Sequence, residues 1–263
     1  MAHPQIAIFA RLAGENAVPT RLVAGQKTLL ARTMHDIRYD ALHDELLVPN
    51  QFAQAILVFR GGVDGEEAPL RVIQGPKTQL KRPDRLDVDP VHNEILIPDG
   101  DRILVFPREA NGDVAPIRVI QGPDTRLNTS TLAVDPVHNL IITSTASRLM
   151  IFNRTDEGNV KPRAVINGPK TGIVRINQIQ MYAPKGWIVA TQPGGEGVEP
   201  EGVFVGIWSI HDQGDVPPRW MLGGPKSTLK KPRGVVLNPK HKELIVADMR
   251  LNSVLTFYFP ELF

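Results

Sequence analysis

The chain has 263 residues, 42% hydrophobic and 22% charged, with 30 basic against 28 acidic side chains for a formal net charge of +2. This is the composition of a folded globular protein, neither disordered nor polyelectrolyte, so net charge alone selects no class of partner. The absence of cysteine excludes disulfides, thiolate metal sites and cysteine nucleophiles, and no apolar run approaches the roughly 18 residues a membrane helix needs.

The chain opens on MAHPQIAIFARL, which lacks the charged and apolar regions of a secretory leader. The expected location is cytoplasmic, or secreted or periplasmic if a leader has been removed. A first apolar run, IAIFA (6–10), is followed by RLVAG (21–25). The Gly that closes this second run recurs at Gly25, Gly75, Gly122, Gly168 and Gly224, at intervals of 50, 47, 46 and 56 residues. Five units of about fifty residues follow, and the long fourth interval carries an insertion, PGGEGVEPEG, whose Gly, Pro and Glu mark a solvent loop.

Each unit reads as four short strands, a to d, separated by Pro, Gly, Asn and Asp. Strand a is 36–40, 85–89, 131–135, 178–182 and 234–238. Strand b is 45–50, 94–99, 140–145, 187–192 and 243–248. Strand c reads AILVF, RILVF, RLMIF, VGIW and SVLTF, with IAIFA as an extra copy. Strand d reads RLVAG, RVIQG, RVIQG, AVING and WMLGG. The chain therefore begins with c and d, runs through four full units and ends with a, b and c.

Repeated four-stranded units that cannot bury both faces alone predict an all-β fold, a five-bladed β-propeller forming a single domain over 1–263. The closing blade is expected to be sewn from both termini, with 21–25 as its fourth strand, and either IAIFA or SVLTF is left over as the spare c strand. The a–b hairpin VDPVHNE (88–94), its copies VDPVHN (134–139) and LNPKHKE (237–243), and the GPxT turn after strand d resemble bacterial propellers with NHL-like or YncE-like repeats. That resemblance implies architecture. Functions in the group range from scaffolds to lyases and lactonases.

Charge is unevenly distributed. The d–a loops (26–34, 76–85, 123–131, 169–178, 225–234) carry Lys27, Arg32, Lys77, Lys81, Arg82, Arg85, Arg126, Lys170, Arg175, Lys226, Lys230, Lys231 and Arg233, against only Asp84 and Asp124. The c–d loop tips carry Glu15, Asp64, Glu66, Glu67, Glu109, Asp113, Asp156, Glu157, Asp212 and Asp215, against Lys161 alone. In an up-and-down meander these loops are expected on opposite ends of the ring. A basic face would then hold an acidic protein, a polyanion or a carboxylated saccharide, or stack head-to-tail on the acidic face of another copy. The basic loops contain no aromatic residue to stack bases, which argues against nucleic acid.

A second reading places chemistry where strand b ends and strand a begins. Asn50, Asp99 and Asp248, with Asp36 or Asp84, supply oxygen donors for Ca²⁺, which takes 6–8 such ligands, and His35 is placed to act as a general base. The arrangement is similar to a calcium-dependent lactonase, although such enzymes usually include a Glu that these positions lack. His43, His92, His138 and His241 repeat at the a–b turn of separate blades, so they are expected as turn residues, not as a cluster. No P-loop, HExxH, nucleophile elbow or dinucleotide fingerprint occurs. The reading from sequence therefore favours a non-enzymatic binding module without a cofactor.

Overall fold

A computed structural model describes residues 4–32, 34–145, 147–194 and 202–263; most of the predicted insertion loop lies outside the described residues. The fold is all-β, and its strands make the blades of a β-propeller. β1 (Gln5–Ile8) pairs with β2 (Arg21–Ala24). Two four-stranded blades follow: β3 (Arg38–Asp40), β4 (Glu45–Asn50), β5 (Ala55–Arg60) and β6 (Arg71–Gln74), then β7 (Asp87–Asp89), β8 (Glu94–Pro98), β9 (Arg102–Pro107) and β10 (Arg118–Gln121). The third blade is β11 (Leu132–Asp135), β12 (Leu140–Thr145), β13 (Arg148–Asn153) and β14 (Ala164–Asn167). The fourth is β15 (Ile179–Tyr182), β16 (Trp187–Gln192), β17 (Phe204–Ser209) and β18 (Trp220–Gly223). The fifth has three strands, β19 (Pro232–Asn238), β20 (Glu243–Asp248) and β21 (Ser253–Tyr258).

The expected closing pair is not the one formed. β2 takes β1 as its neighbour, Ile6 opposite Val23, while β21 pairs with β20 and the fifth blade stops at three strands. The reason is local. IAIFA and SVLTF are equally good c strands, and the one eleven residues upstream of RLVAG in sequence closes the shorter loop.

Contacts group the chain into two compact units, Met1–Asp99 with Val105–Ile117, and Gly100–Leu104 with Arg118–Phe263. The middle strands b and c of the full blades are covered on both faces and read as continuous apolar runs, as in Ile95, Leu96 and Ile97 of β8 or Leu149, Met150 and Ile151 of β13. In the first unit Val23, Val48, Leu57, Phe59 and Val63 pack as one core, joined by Ile6 and Ile8 of β1. In the second, one core gathers around Phe204 and Trp208 and another around Val205, Leu244 and Leu262. The C-terminal run is partly buried there: Leu262 is covered, and Phe263 and Phe259 meet Tyr182 and Trp220 edge-on at 5.1 and 6.3 Å.

The repeated histidines are turn residues, as expected. Asp40 Oδ1 accepts from the backbone N–H of Leu42 and His43, and its Oδ2 meets His43 Nδ1 at 2.7 Å. Asp89 with His92 and Asp135 with His138 repeat the arrangement. It holds the a–b hairpin while Asp44, Asn93 and Asn139 take the left-handed conformation that short polar side chains tolerate.

Candidate functional site

The d–a loops are five copies of one built turn. Strand d ends on a Gly at positive φ, 131° at Gly75 and Gly168, and a single 3₁₀ turn follows. The hydroxyls of Thr28, Thr78, Thr125, Thr171 and Ser227 donate to the carbonyl of that Gly at 2.6–2.8 Å. They accept from the N–H two residues on, at Leu30, Leu80, Leu127, Ile173 and Leu229, at 3.1–3.3 Å. These apolar residues then anchor the loop, Leu80, Leu127, Ile173 and Leu229 being buried.

The last residue of strand b braces the same loop in every blade. Asn50 Nδ2 donates to Leu29 O at 3.0 Å. The Asp99 oxygens accept from Lys81 N and Arg82 N, both at 2.8 Å. Thr145 exchanges hydrogen bonds with the backbone of Asn128, and Gln192 Oε1 accepts from Val174 N at 2.6 Å. Asp248 Oδ2 accepts from Lys230 N and Lys231 N at 2.7 and 2.8 Å, and its Oδ1 from Arg250 N and Leu251 N. Asn50 and Asp99 belong to the first unit and Asp248 to the second. Among the described residues no group of three or more His, Asp or Glu has the arrangement to hold a metal ion.

This bracing fixes what the basic residues present. Backbone amides of Lys81, Arg82, Lys230 and Lys231 are held by a buried carboxylate, while the side chains of Lys81, Arg82 and Lys230 are exposed and that of Lys231 is half-buried. Lys77, Lys170, Arg175 and Lys226 are exposed as well. Two of the expected ligand-binding cations differ. Arg85 is buried and donates to Asp84 Oδ2 at 2.6 Å, and Arg233 is half-buried and donates to Asn177 Oδ1 at 2.8 Å.

The expected separation of acidic and basic loops onto opposite ends does not hold. Each c–d loop after the first runs back along the preceding d strand, and its tip reaches the d–a turn there. Glu66 Oε1 accepts from Lys27 N (3.2 Å), Asp113 Oδ1 from Lys77 N (2.7 Å) and Asp215 Oδ1 from Lys170 N (2.7 Å). A Gly at the tip pairs with the d strand beside it: Gly65 N donates to Leu22 O and Gly65 O accepts from Ala24 N, and Gly112, Gly158 and Gly214 do the same with β6, β10 and β14. The signal for this clasp was in the sequence, a Gly followed by Glu, Asp or Asn four residues before the loop Pro ahead of the last four d strands, but only a tertiary contact shows where it lands.

At the start of strand a, the first unit carries a buried charge cluster. Arg38 donates to Asp36 Oδ1 and to Asp87 Oδ1, both at 3.1 Å, and Arg85 pairs with Asp84, which also meets His35 Nδ1. Burial pushes the Asp36 carboxyl above its ordinary 3.8, against the opposing pull of the Arg38 and Arg85 charges. Burial works against the charge of Arg38, but Asp36 and Asp87 outweigh it and hold the guanidinium more firmly protonated. A cavity of about 270 Å³ opens beside the cluster, lined by Gln5, Ile6, Met34, His35, Asp36, Ile37 and Val48.

The second unit fills the matching positions with neutral groups. Gln178 Oε1 accepts from Val235 N at 2.5 Å, Asn177 Nδ2 donates to Arg233 O at 2.7 Å, and Thr129 and Thr143 share a hydrogen bond at 2.6 Å. Here one cation, Arg233, stands among amides and hydroxyls.

No protein family and no curated protein sequence matches the chain. Solved structures do. A chain of the mitotic checkpoint complex aligns over 92% of this chain and 67% of its own length, with a TM-score of 0.58 and 12% identity. Hydrazine synthase from Kuenenia stuttgartiensis aligns over 90% of this chain and 58% of its own, with a TM-score of 0.60 and 11% identity. The likeness is one of fold alone.

Proposed function

We propose that the chain is a non-enzymatic binding module of the NHL-like or YncE-like kind, which holds an acidic protein or another anionic ligand through its exposed d–a loops. The observation that carries this reading is the brace. At Asp99 and at Asp248, a buried carboxylate pins the backbone of two consecutive cations and leaves side-chain charge in solvent, so the loop is ordered before a ligand arrives. The binding set is Lys77, Lys81 and Arg82 on one loop, Lys170 and Arg175 on another, and Lys226, Lys230 and Lys231 on a third. Arg85 and Arg233 act inside the fold.

The test is salt-dependent binding of an acidic probe such as heparin or poly-glutamate. Exposed charges are screened over about 8–10 Å at physiological ionic strength, so binding should fall steeply as salt rises. Reversal of Lys81, Arg82, Lys230 and Lys231 to Glu should remove it with the fold intact. Binding that survives the reversal rejects the reading.

The cavity beside His35 and Asp36 favours a second reading, a calcium-dependent hydrolase or lactonase working within the first unit, with Asp36 as an oxygen donor and His35 as general base. The two are separated by calcium titration of the purified protein. Heat evolved on binding, lost in an Asp36→Asn variant that still folds, supports the hydrolase and counts against the binding module.

A further inference from the structure

Four c–d segments of the chain are seated in the same way, and together they define what a fifth seat would need. The tip Gly of each, at Gly65, Gly112, Gly158 and Gly214, makes two backbone hydrogen bonds to the preceding d strand, at its second and fourth residues. The side chain after it accepts from the N–H of the second residue of the 3₁₀ turn, which is Lys27, Lys77, Asp124 or Lys170. After the loop Pro, the next N–H donates to the fourth residue of strand c, as Leu70 N does to Val58 O and Arg219 N to Ile207 O, both at 2.7 Å. One segment thus bridges two strand edges, that of the preceding d strand and that of its own c strand.

Charge is matched at each junction. Where the turn presents Lys27, Lys77 or Lys170, the side chain after the tip Gly is Glu66, Asp113 or Asp215. Where the turn presents Asp124, it is the neutral Asn159, whose Oδ1 accepts from Asp124 N at 2.8 Å while its Nδ2 donates to Asp124 Oδ2 at 3.2 Å.

One d strand, β18, and one c strand, β21, lack such a segment, and both belong to the second unit. The turn after β18 is built like the others: Ser227 Oγ donates to Gly224 O at 2.8 Å, and Lys226 stands exposed at the position of Lys77. Among the described residues no partner is found for Met221 O, Gly223 N or Lys226 N, the groups that a tip Gly and its acid would take. Met221 is 57% exposed. β21 ends its sheet, although its register continues that of the other c strands, Phe259 N donating to Lys242 O as Ile210 N does to Gly186 O. Thr256 O, the counterpart of Val58 O and Ile207 O, has no partner among the described residues. Val254 is 68% exposed, whereas Ile56, Leu149 and Val205 at its position are buried and lie opposite Ile73, Ile166 and Leu222 of strand d. No charged residue stands between Leu251 and Phe259, so nothing blunts this edge against pairing.

We propose that the edges of β18 and β21 together take one extended segment of another polypeptide, with a Gly and an acidic residue at its tip, a Pro three residues later, and then a short apolar strand. The tip Gly would pair with Met221 and Gly223, and the acid would accept from Lys226 N beside the Lys226 charge. The residue after Pro would donate to Thr256 O, and the strand would complete the fifth blade with an Ile, Leu or Val opposite Val254. This is β-strand addition, in which main-chain hydrogen bonds give affinity and side-chain positions give specificity. The four segments of this pattern in the chain already hold their own junctions. The first loop has Glu15 in the place of the Gly and Asn16 at the clasp position, so it puts no carboxylate there, and its strand β2 is taken by β1 and Gly65. The occupant is therefore a different polypeptide. The proposal goes beyond polyanion binding, because β21 carries no charge and most of the contacts are main-chain.

The experiment titrates the full chain into a labelled peptide, GDVAPIRVIQ, the sequence of residues 112–121, and follows fluorescence anisotropy, with circular dichroism confirming the fold of each variant. The peptide should bind, and a scrambled peptide of the same composition should not. A residue's N–H and C=O point to the same side of a strand, so Thr256→Pro removes an outward donor from β21 and spares its ladder with β20. It should weaken binding at least about tenfold. Lys226→Asp, a change at an exposed side chain, sets two carboxylates together and should also weaken binding at least about tenfold. A peptide with Asn in place of its Asp rebuilds the Asn159–Asp124 pairing and should recover binding to the Lys226→Asp chain. Heparin binding should be unchanged in Thr256→Pro, so this proposal and the polyanion reading fail separately. Absence of binding up to about 1 mM peptide overturns the proposal. Binding that is indifferent to Thr256→Pro, to Lys226→Asp or to scrambling overturns it too.

Discussion

The starts of the a strands in the two units occupy one structural position and fill it with opposite chemistry. In the first unit Asp36, Arg38, Asp84, Arg85 and Asp87 form a network of ions, most of it buried; in the second, Gln178, Asn177, Thr129 and Thr143 join backbone groups to neutral side chains around Arg233. Both satisfy the same backbone. The neutral version does so without desolvating opposed charges, so stability alone does not call for the ionic one. The ionic version also stands beside the cavity that His35 and Asp36 line.

The comparison breaks most visibly at Arg38. Arg38→Met leaves Asp36 and Asp87 without their shared guanidinium and should cost about 3–5 kcal/mol in urea unfolding. The neutral counterpart, Gln178→Leu, orphans the Val235 N–H and should cost about 1–3 kcal/mol. Equal losses at the two sites would erase the distinction. A control sits in the element the units share: Thr78→Val and Thr171→Val each remove one turn hydroxyl and should cost about 1 kcal/mol apiece, with no difference between units.

The finest test reads slope. The Asp36 carboxyl is raised by burial, so the stability it contributes is fully present below its ordinary 3.8 and is lost as pH rises through the raised value. Wild-type stability relative to Asp36→Asn should fall over that window. Glu45 supplies the opposite sign. Burial opposes its charge, but Arg71 and Arg108 donate to it at 2.7–2.9 Å and hold it below its ordinary 4.5. The advantage of wild type over Glu45→Gln should be present above 4.5 and vanish as pH falls through the lowered value. Gln178→Leu should show neither slope.

Much of this was legible from residues alone, and the rest was hidden for definable reasons. Strand positions followed the apolar runs because β4, β8, β12 and β16 are buried on both faces, and His43, His92 and His138 read correctly because an Asp three residues upstream is a local partner. Arg85 looked like a surface cation because loop membership says nothing of direction, and it turns inward to Asp84. Asn50, Asp99 and Asp248 looked like convergent oxygen donors, yet each spends its acceptors or donors on its own loop, a contact some twenty residues distant that no local pattern announces. The opposed charged ends were inferred from strand polarity. The c–d loops are long enough to double back, and this carries Glu66, Asp113 and Asp215 to the basic turns.

Because four loop tips grip the strand before them and not their own blade, neighbouring repeats melt together. Losing one repeat strips the grip from its predecessor and leaves its successor's loop tip with no strand to hold, so a nearest-neighbour description assigns much of the cooperativity to these junctions. Hydrogen exchange should then be slowest at Gly112 and Gly158, which lie between gripped repeats, and fastest along β21, where amide protons have only one flank protected.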